Sequence, residues 1–524
     1  MIGFKLSNLK KIRIILSIIF FILISTLFLD PRNGIPAWIS NAITSLQLIP
    51  SIAKLFAYVG WSALGLIIVS LLTILFGRVY CSTICPLGTF QDIFIHINKK
   101  IHKRKRYVFA KPSYIFHYVL FILISIFAIF GSLTLLNLLE PFSNYGRIVT
   151  SLFEPIVTMV NNFAASIMMR FNYYFLYTIP LRNVDLDKLI YPIIFLVFLG
   201  YLSYKRGRIF CNLLCPAGAL LGLISRISIY KITVNKNDCN NCGACERVCK
   251  ANCIDSERQK IEFAACIGCF NCISACPTDG IIYAHNIQKI SKSREQRFNF
   301  SRRNFLNSII TPVVSMTVSQ IGALDSTTTK TSGYFESKRN PISPPGSRNI
   351  ERYTNLCTAC HLCVSACPAQ VLYPSLFQYG AAGIFQPMMN YSASYCNYEC
   401  TVCGEICPTG AIIPLLPEEK KLVQIGKANF FKDDCVVVAN KKDCAACSEH
   451  CPTKAVYMVP YEGKLKIPEL NNDICVGCGA CEHACPTTPR KAIYVTSNHV
   501  HLQAKKPQVK KQENILQDSK EFPF

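Results

Sequence analysis

A chain that repeats Cys-x2-Cys-x2-Cys-x3-Cys has little freedom around those cysteines, because thiols so close together must share a ligand. Of the 29 cysteines, 28 fall into ordered groups. Cys239, Cys242, Cys245 and Cys249 form one group, and Cys266, Cys269, Cys272 and Cys276 another. Four more follow in the second half. They are Cys357, Cys360, Cys363 and Cys367; Cys396, Cys400, Cys403 and Cys407; Cys435, Cys444, Cys447 and Cys451; and Cys475, Cys478, Cys481 and Cys485. A cysteine-rich chain can be a disulfide scaffold, but this spacing, often closed by Cys-Pro, is that of iron–sulfur ligands rather than of disulfides or structural zinc. In two-cluster ferredoxins the fourth cysteine serves the other cluster. Cys239, Cys242 and Cys245 therefore go with Cys276, and Cys266, Cys269 and Cys272 with Cys249. Cys253 is either a spare buried thiol or a substitute for Cys249. Cys396 and Cys435 precede irregular gaps and are the weaker ligand candidates of the second half. The expectation is six 4Fe–4S clusters. His361, His450 and His483 read as polar spacers, since the cysteine count is already complete.

Half of the chain, 51%, is hydrophobic, which suggests membrane spans. Apolar segments cover residues 12–29, 55–76, 114–139 and 189–204. Residues 152–169 fit a helix lying on or partly in the membrane, inside a loop of mixed charge. Of the net charge of +24, residues 1–349 carry +23. The basic residues flank the apolar segments, at Lys10–Arg13, Lys99–Arg106 and Lys205–Arg208. That pattern fits the positive-inside rule with four spans and a cytoplasmic N-terminus, and argues against nucleic-acid binding.

Two further cysteine pairs form an internal repeat. Gly77-Arg78-Val79-Tyr80-Cys81-Ser82-Thr83-Ile84-Cys85-Pro86-Leu87-Gly88 matches Gly207-Arg208-Ile209-Phe210-Cys211-Asn212-Leu213-Leu214-Cys215-Pro216-Ala217-Gly218. If helical, each copy puts its cysteines at i and i+4 on one face. Cys81, Cys85, Cys211 and Cys215 then make a metal site, a redox dithiol pair, or four packed reduced thiols.

The segment 301–323 divides the chain. Ser301-Arg302-Arg303-Asn304-Phe305-Leu306 is similar to a twin-arginine export signal, and the weakly apolar run behind it fits a fifth span. The other reading is a basic linker with a surface helix. Residues 324–349, rich in Ser, Thr, Pro and Gly, read as linker. Residues 377–395 are uncharged and aromatic, and read as a covering loop or a docking surface.

The four spans, the two Cys-x-x-x-Cys-Pro motifs and the first ferredoxin module make residues 1–285 resemble NapH-type membrane quinol dehydrogenases. Polyferredoxins of oxidase assembly and nitrous-oxide-reductase maturation share these motifs. Residues 300–495 resemble NapG-type four-cluster ferredoxins. That second resemblance implies that motifs one and four exchange their last cysteines, as do two and three. Cys485 would then serve the first cluster, Cys367 the fourth, Cys451 the second and Cys407 the third.

The expected architecture is multi-domain: an α-helical membrane domain of four spans plus a fifth, with two α+β ferredoxin-like iron–sulfur domains. Its boundaries are 1–230 membrane domain, 231–290 two-cluster domain, 291–349 signal-like segment and linker, 350–495 four-cluster domain and 496–524 polar tail. The resemblance implies a bacterial inner-membrane protein, with its first ferredoxin cytoplasmic and its second periplasmic. Electrons would pass from the quinone pool to a periplasmic reductase or cytochrome. His117, Glu140 and Glu154 are candidate bases for quinol oxidation. The alternatives are a maturation or metal-handling factor and a redox sensor.

Overall fold

The computed structural model describes residues 7–30, 34–57, 64–101, 109, 114–182, 186–285 and 341–506. The twin-arginine-like segment and the expected fifth span lie outside the described residues.

The N-terminal part is helical. Three helices are long and apolar enough to cross a membrane: Asn8–Leu29, Pro141–Arg170 and Leu186–Arg206. At about 1.5 Å per residue, a helix of about 20 residues matches a bilayer core of about 30 Å. The outward faces of these helices carry Ile15, Ile18, Ile22, Val160, Ile194 and Val197, all exposed, as lipid contact requires.

One expected span differs from the structure. Of the apolar run 55–76, residues 58–63 lie outside the described residues, and the rest falls in the helices Leu48–Ala57 and Leu64–Phe76. The run 114–139 is helical only as Tyr114–Ile129 and then Thr134–Leu139, with Gly131 at φ +77° between them. A positive φ is cheap for glycine and ends the helix there. The short helix expected at 152–169 instead begins at Pro141 and runs to Arg170. Glu140 starts it by accepting from the backbone N–H groups of Phe142 and Ser143, with Pro141 at the first helical position. Its single π-helical turn, Val149–Phe153, falls just before Pro155. Proline lacks an N–H and crowds the carbonyl four residues back, and one widened turn absorbs both problems.

The first iron–sulfur unit closes on itself. Strand Tyr230–Val234 pairs antiparallel with Ile281–His285, joining the start and end of the unit. A small hairpin, Ile254–Asp255 with Lys260–Ile261, lies between its two cysteine motifs.

The second unit repeats that plan twice. Leu372–Pro374 pairs with Pro387–Met389 between motifs one and two, and Val456–Pro460 with Lys466–Leu470 between motifs three and four. A longer pair, Val423–Phe430 with Ile493–Gln503, closes the half that holds motifs three and four. Two expected boundaries move as a result. Ile342, Ser343 and Ser347 are buried, and the Ile413 N–H bonds the Gly346 carbonyl, so folded chain begins before 350. The last strand also runs past 495 to Gln503.

The units sit at opposite ends of the Ser7–Leu29 helix. Near its start, Arg13 pairs with Asp92 at 2.7 Å, and Lys250 of the first unit pairs with the same carboxylate at 3.0 Å. Near its end, Phe28 packs on Phe142, whose helix carries Gly146 against the Cys360 carbonyl of the second unit. A Cβ on Gly146 would lie 2.3 Å from that oxygen, so only glycine permits this approach. Asn41 donates to the Glu405 carbonyl at 2.7 Å, and Arg182 to that of Val364 at 2.7 Å. The aromatic segment 377–395 joins this contact, with the Phe385 ring tilted against Tyr191 at 4.6 Å between centroids and Thr134 donating to the Ala381 carbonyl.

Candidate iron–sulfur centres

The strict motifs share one backbone device. In each, the residue just before the second cysteine and the one just after it are left-handed. They are Asn241 and Gly243, Gly268 and Phe270, Ala359 and His361, and Gly477 and Gly479. Alternating hand in this way turns successive N–H groups toward one point, making a nest for an anionic cluster. The motifs with irregular gaps, beginning at Cys396 and Cys435, show no left-handed residue at the equivalent positions. His361 is one of these left-handed residues. It is buried, and its Nε2 bonds the Phe385 carbonyl at 2.9 Å, which fits the spacer reading. The sequence signal for this device is slight, since only five of the eight positions are Gly or Asn.

The thiols gather in fours. Cys239, Cys242, Cys245 and Cys276 line one cavity. Cys249, Cys266, Cys269 and Cys272 line another, joined by Cys253, whose sulfur lies 3.6 Å from that of Cys249. Both sets match the spacing argument, and Cys253 lies inside the second site rather than apart from it.

In the second half the exchange expected from the NapG-type resemblance is not found. Cys357, Cys360 and Cys363 share a cavity with Cys407. Cys367 instead joins Cys396, Cys400 and Cys403. Cys485 joins Cys435, Cys444 and Cys447, and Cys451 lies beside Cys475, Cys478 and Cys481. Motifs one and two thus exchange, as do three and four. The reason is local: each pair is joined by a short hairpin, which folds the second motif back on the first. The weaker candidates Cys396 and Cys435 both line cavities with three other thiols.

Four sites carry a further contact. In Cys-Pro-Thr sequences the threonine hydroxyl faces the cysteine sulfur: Thr278 with Cys276 at 3.8 Å, Thr409 with Cys407 at 3.6 Å, Thr453 with Cys451 at 3.6 Å and Thr487 with Cys485 at 3.2 Å. Hydrogen bonds to ligating sulfur stabilise the more negative, reduced state and raise the potential. Thr453→Val, close in shape but without the donor, is expected to lower the potential of the centre served by Cys451 by tens of millivolts. Redox-titrated EPR of the full chain checks this, and an unchanged midpoint would refute it.

The paired Cys-x-x-x-Cys-Pro motifs differ from their helical expectation. The helices Tyr80–Thr83 and Ile209–Leu213 hold only Cys81 and Cys211. Cys85 immediately precedes the Pro86–Ile101 helix, and Cys215, in extended conformation, caps Pro216–Ser225. All four cysteines are buried. Among the described residues, no three His, Cys, Asp or Glu side chains converge closely enough to hold a single metal ion.

The candidate bases are all engaged. Glu140 caps its helix, Glu154 pairs with Arg182 at 3.1 Å, and His117 Nε2 bonds the Cys215 carbonyl at 3.0 Å. Asp92, which sequence reading passed over, is the charge hub. Burial works to raise its pKa, but Arg208 and Lys250, with Arg13, outweigh this and hold the carboxyl well below its usual range.

Nested ligand loops, grouped thiols and two closed units define a ferredoxin-type electron-transfer protein with iron–sulfur domains. The comparisons agree. A family described as "4Fe-4S binding domain" matches residues 58–104 and 189–235, and a "4Fe-4S dicluster domain" matches 442–488. The chain is a polyferredoxin similar to the ferredoxin-type protein NapF of Escherichia coli, 28% identical over 32% of this chain and 93% of that protein. The putative electron transport protein YccM of Escherichia coli is 23% identical over 48% of this chain and 64% of that protein. The methylamine utilization ferredoxin-type protein MauM of Methylophilus methylotrophus is 28% identical over 28% of this chain and 66% of that protein. No solved structure matches this chain.

Proposed function

We propose that this protein is a membrane-bound electron conduit that takes electrons from a quinol and delivers them to a redox partner across the bilayer. Six 4Fe–4S clusters would sit in the six four-thiol sites of residues 231–285 and 341–506. The observation that carries this reading is the placement of the two iron–sulfur units at opposite ends of one apolar helix bundle. A wire confined to one face of a membrane has no need of that arrangement. The basic clusters favour a cytoplasmic side for the first unit in a bacterial inner membrane, and the second would face the periplasm. A nitrate-reductase-type chain, with a periplasmic reductase or cytochrome as acceptor, is the partner suggested by the NapH–NapG resemblance.

Adding reduced menaquinol to the purified full chain should reduce its clusters, seen by EPR. In spheroplasts, external protease should cut residues 341–506. Clusters that stay oxidised would sink the quinol step, and protection of the second unit would sink the opposite-sides reading.

A further inference from the structure

We propose that Arg147 is the counter-charge of the iron–sulfur centre held by Cys357, Cys360, Cys363 and Cys407, and that it sets the reduction potential of that centre. The assignment rests on a cluster filling this four-thiol site, as proposed above, and is independent of the quinol step.

Arg147 belongs to the long apolar helix Pro141–Arg170 and is fully buried. Its Nε donates to the Ser143 carbonyl at 3.3 Å and its Nη2 to that of Asn137, both neutral acceptors, and its Nη1 has no acceptor. Among the described residues it has no ion-pair partner. Glu140, next to the same helix, is turned to the N–H groups of Phe142 and Ser143. The guanidinium faces two rings, Tyr191 and Phe385, its Cζ 5.1 Å from each centroid. Aromatic faces attract a cation but bring no net charge. A buried cation without an anion is costly.

The contacts around Arg147 lead to a site that supplies one. Phe385 belongs to the second iron–sulfur unit, and its carbonyl is bonded by His361 Nε2 at 2.9 Å. His361, next to Cys360, lines the cavity of the four thiols. Gly146, the neighbour of Arg147, meets the Cys360 carbonyl itself. An oxidised 4Fe–4S core, 2+, with four thiolates is an anion of about −2. One-electron reduction takes it to about −3, with no bond made or broken. A fixed cation stabilises the reduced form more than the oxidised one, so it raises the potential.

Arg182 provides the contrast. Its Nη2 donates to the Val364 carbonyl at 2.7 Å, beside Cys363 in the same ligand loop, but Glu154 answers its charge at 3.1 Å. One arginine anchors the loop without net charge; the other brings a charge that nothing else balances.

Redox-titrated EPR with iron analysis of the purified full chain tests this. Arg147→Gln should lower the midpoint of one centre by about tenfold in its redox equilibrium, about 59 mV for one electron. Arg147→Lys should keep most of the wild-type value. Arg182→Gln combined with Glu154→Gln loosens the same contact without changing net charge, and should leave the midpoint in place. In Cys407→Ala, which should hold about four irons fewer, Arg147→Gln should shift none of the remaining centres. An unmoved midpoint, a shift as large in Arg147→Lys, or a shift that persists in Cys407→Ala would overturn the proposal. Undiminished iron in Cys407→Ala would remove the cluster reading of this site, and the role of Arg147 with it. If Arg147→Gln fails to accumulate, the Cys407→Ala background decides. Recovery there supports the proposal, because the cation then has no anion to balance, and failure there as well rejects it.

Discussion

Combining Cys407→Ala with Cys360→Ala should cost the protein one cluster, about four irons, no more than either change alone. Combining Cys407→Ala with Cys444→Ala should cost two clusters, about eight irons. The structure dictates this because Cys407 shares its cavity with Cys357, Cys360 and Cys363, whereas Cys444 lines another with Cys485. Exchange in the manner expected of NapG-type proteins, with Cys407 serving the third motif, gives the reverse pattern: eight irons for the first pair and four for the second. Iron analysis of the purified full chain, together with the spin count after dithionite reduction, separates the two. The arithmetic depends on a cluster being lost whole when one thiolate is gone. Alanine, unlike serine, leaves no oxygen to take the place of sulfur.

Why the first unit's pairing was legible and the second's was not follows from counting. Two motifs permit one exchange, so Cys276 could be placed with the first motif, while Cys249 and Cys253 stayed alternatives for the second. Four motifs permit more than one, and spacing does not choose among them. The choice lies in the hairpins Leu372–Pro374 with Pro387–Met389 and Val456–Pro460 with Lys466–Leu470, which fold each motif onto its neighbour. Ligand identity is local chemistry and survives in sequence, whereas ligand partnership is tertiary.

The N-terminal helical part shows the same limit. Hydropathy marked residues 12–29 and 189–204, which match the helices Asn8–Leu29 and Leu186–Arg206. It ran through Gly131, because one glycine barely alters an average yet ends a helix at φ +77°. It also undervalued Pro141–Arg170, whose Asn, Glu and Arg residues dilute an otherwise apolar helix. Burial of polar residues was illegible altogether. Arg208 belongs to a basic flank and Arg78 to the first repeat copy, yet both are fully buried. Only the fold, which packs one Cys-x-x-x-Cys-Pro copy against the other, takes them out of water.

That burial makes Asp92→Ala the most damaging single change expected outside the cysteines. Asp92 sits 2.7 Å from Arg13, 2.8 Å from Arg208 and 3.0 Å from Lys250. It is the one anion of a four-charge cluster that joins the first helix, the second Cys-x-x-x-Cys-Pro copy and the first iron–sulfur unit. Removing one partner of a buried pair costs about 3–5 kcal/mol, because the remaining charge is left in a poorly solvating interior. Here three cations would remain, and a loss of that size is a large part of a typical domain's stability. Asp92→Ala should therefore lower the amount of membrane-inserted, iron-loaded protein severely and shift its thermal unfolding downward. Asp92→Glu keeps the charge and should retain much of the yield. Arg13→Gln, which removes a cation from the edge of the cluster, should cost less than Asp92→Ala, and in the Asp92→Ala background should recover part of the loss. A double-mutant cycle on Arg13 and Asp92 measures the coupling directly. Coupling near zero would mean that the carboxylate does not organise this junction. If Asp92 does hold it together, the first iron–sulfur unit should become protease-sensitive in Asp92→Ala before the second unit does, since the second is anchored at the far end through Gly146, Arg182 and Asn41.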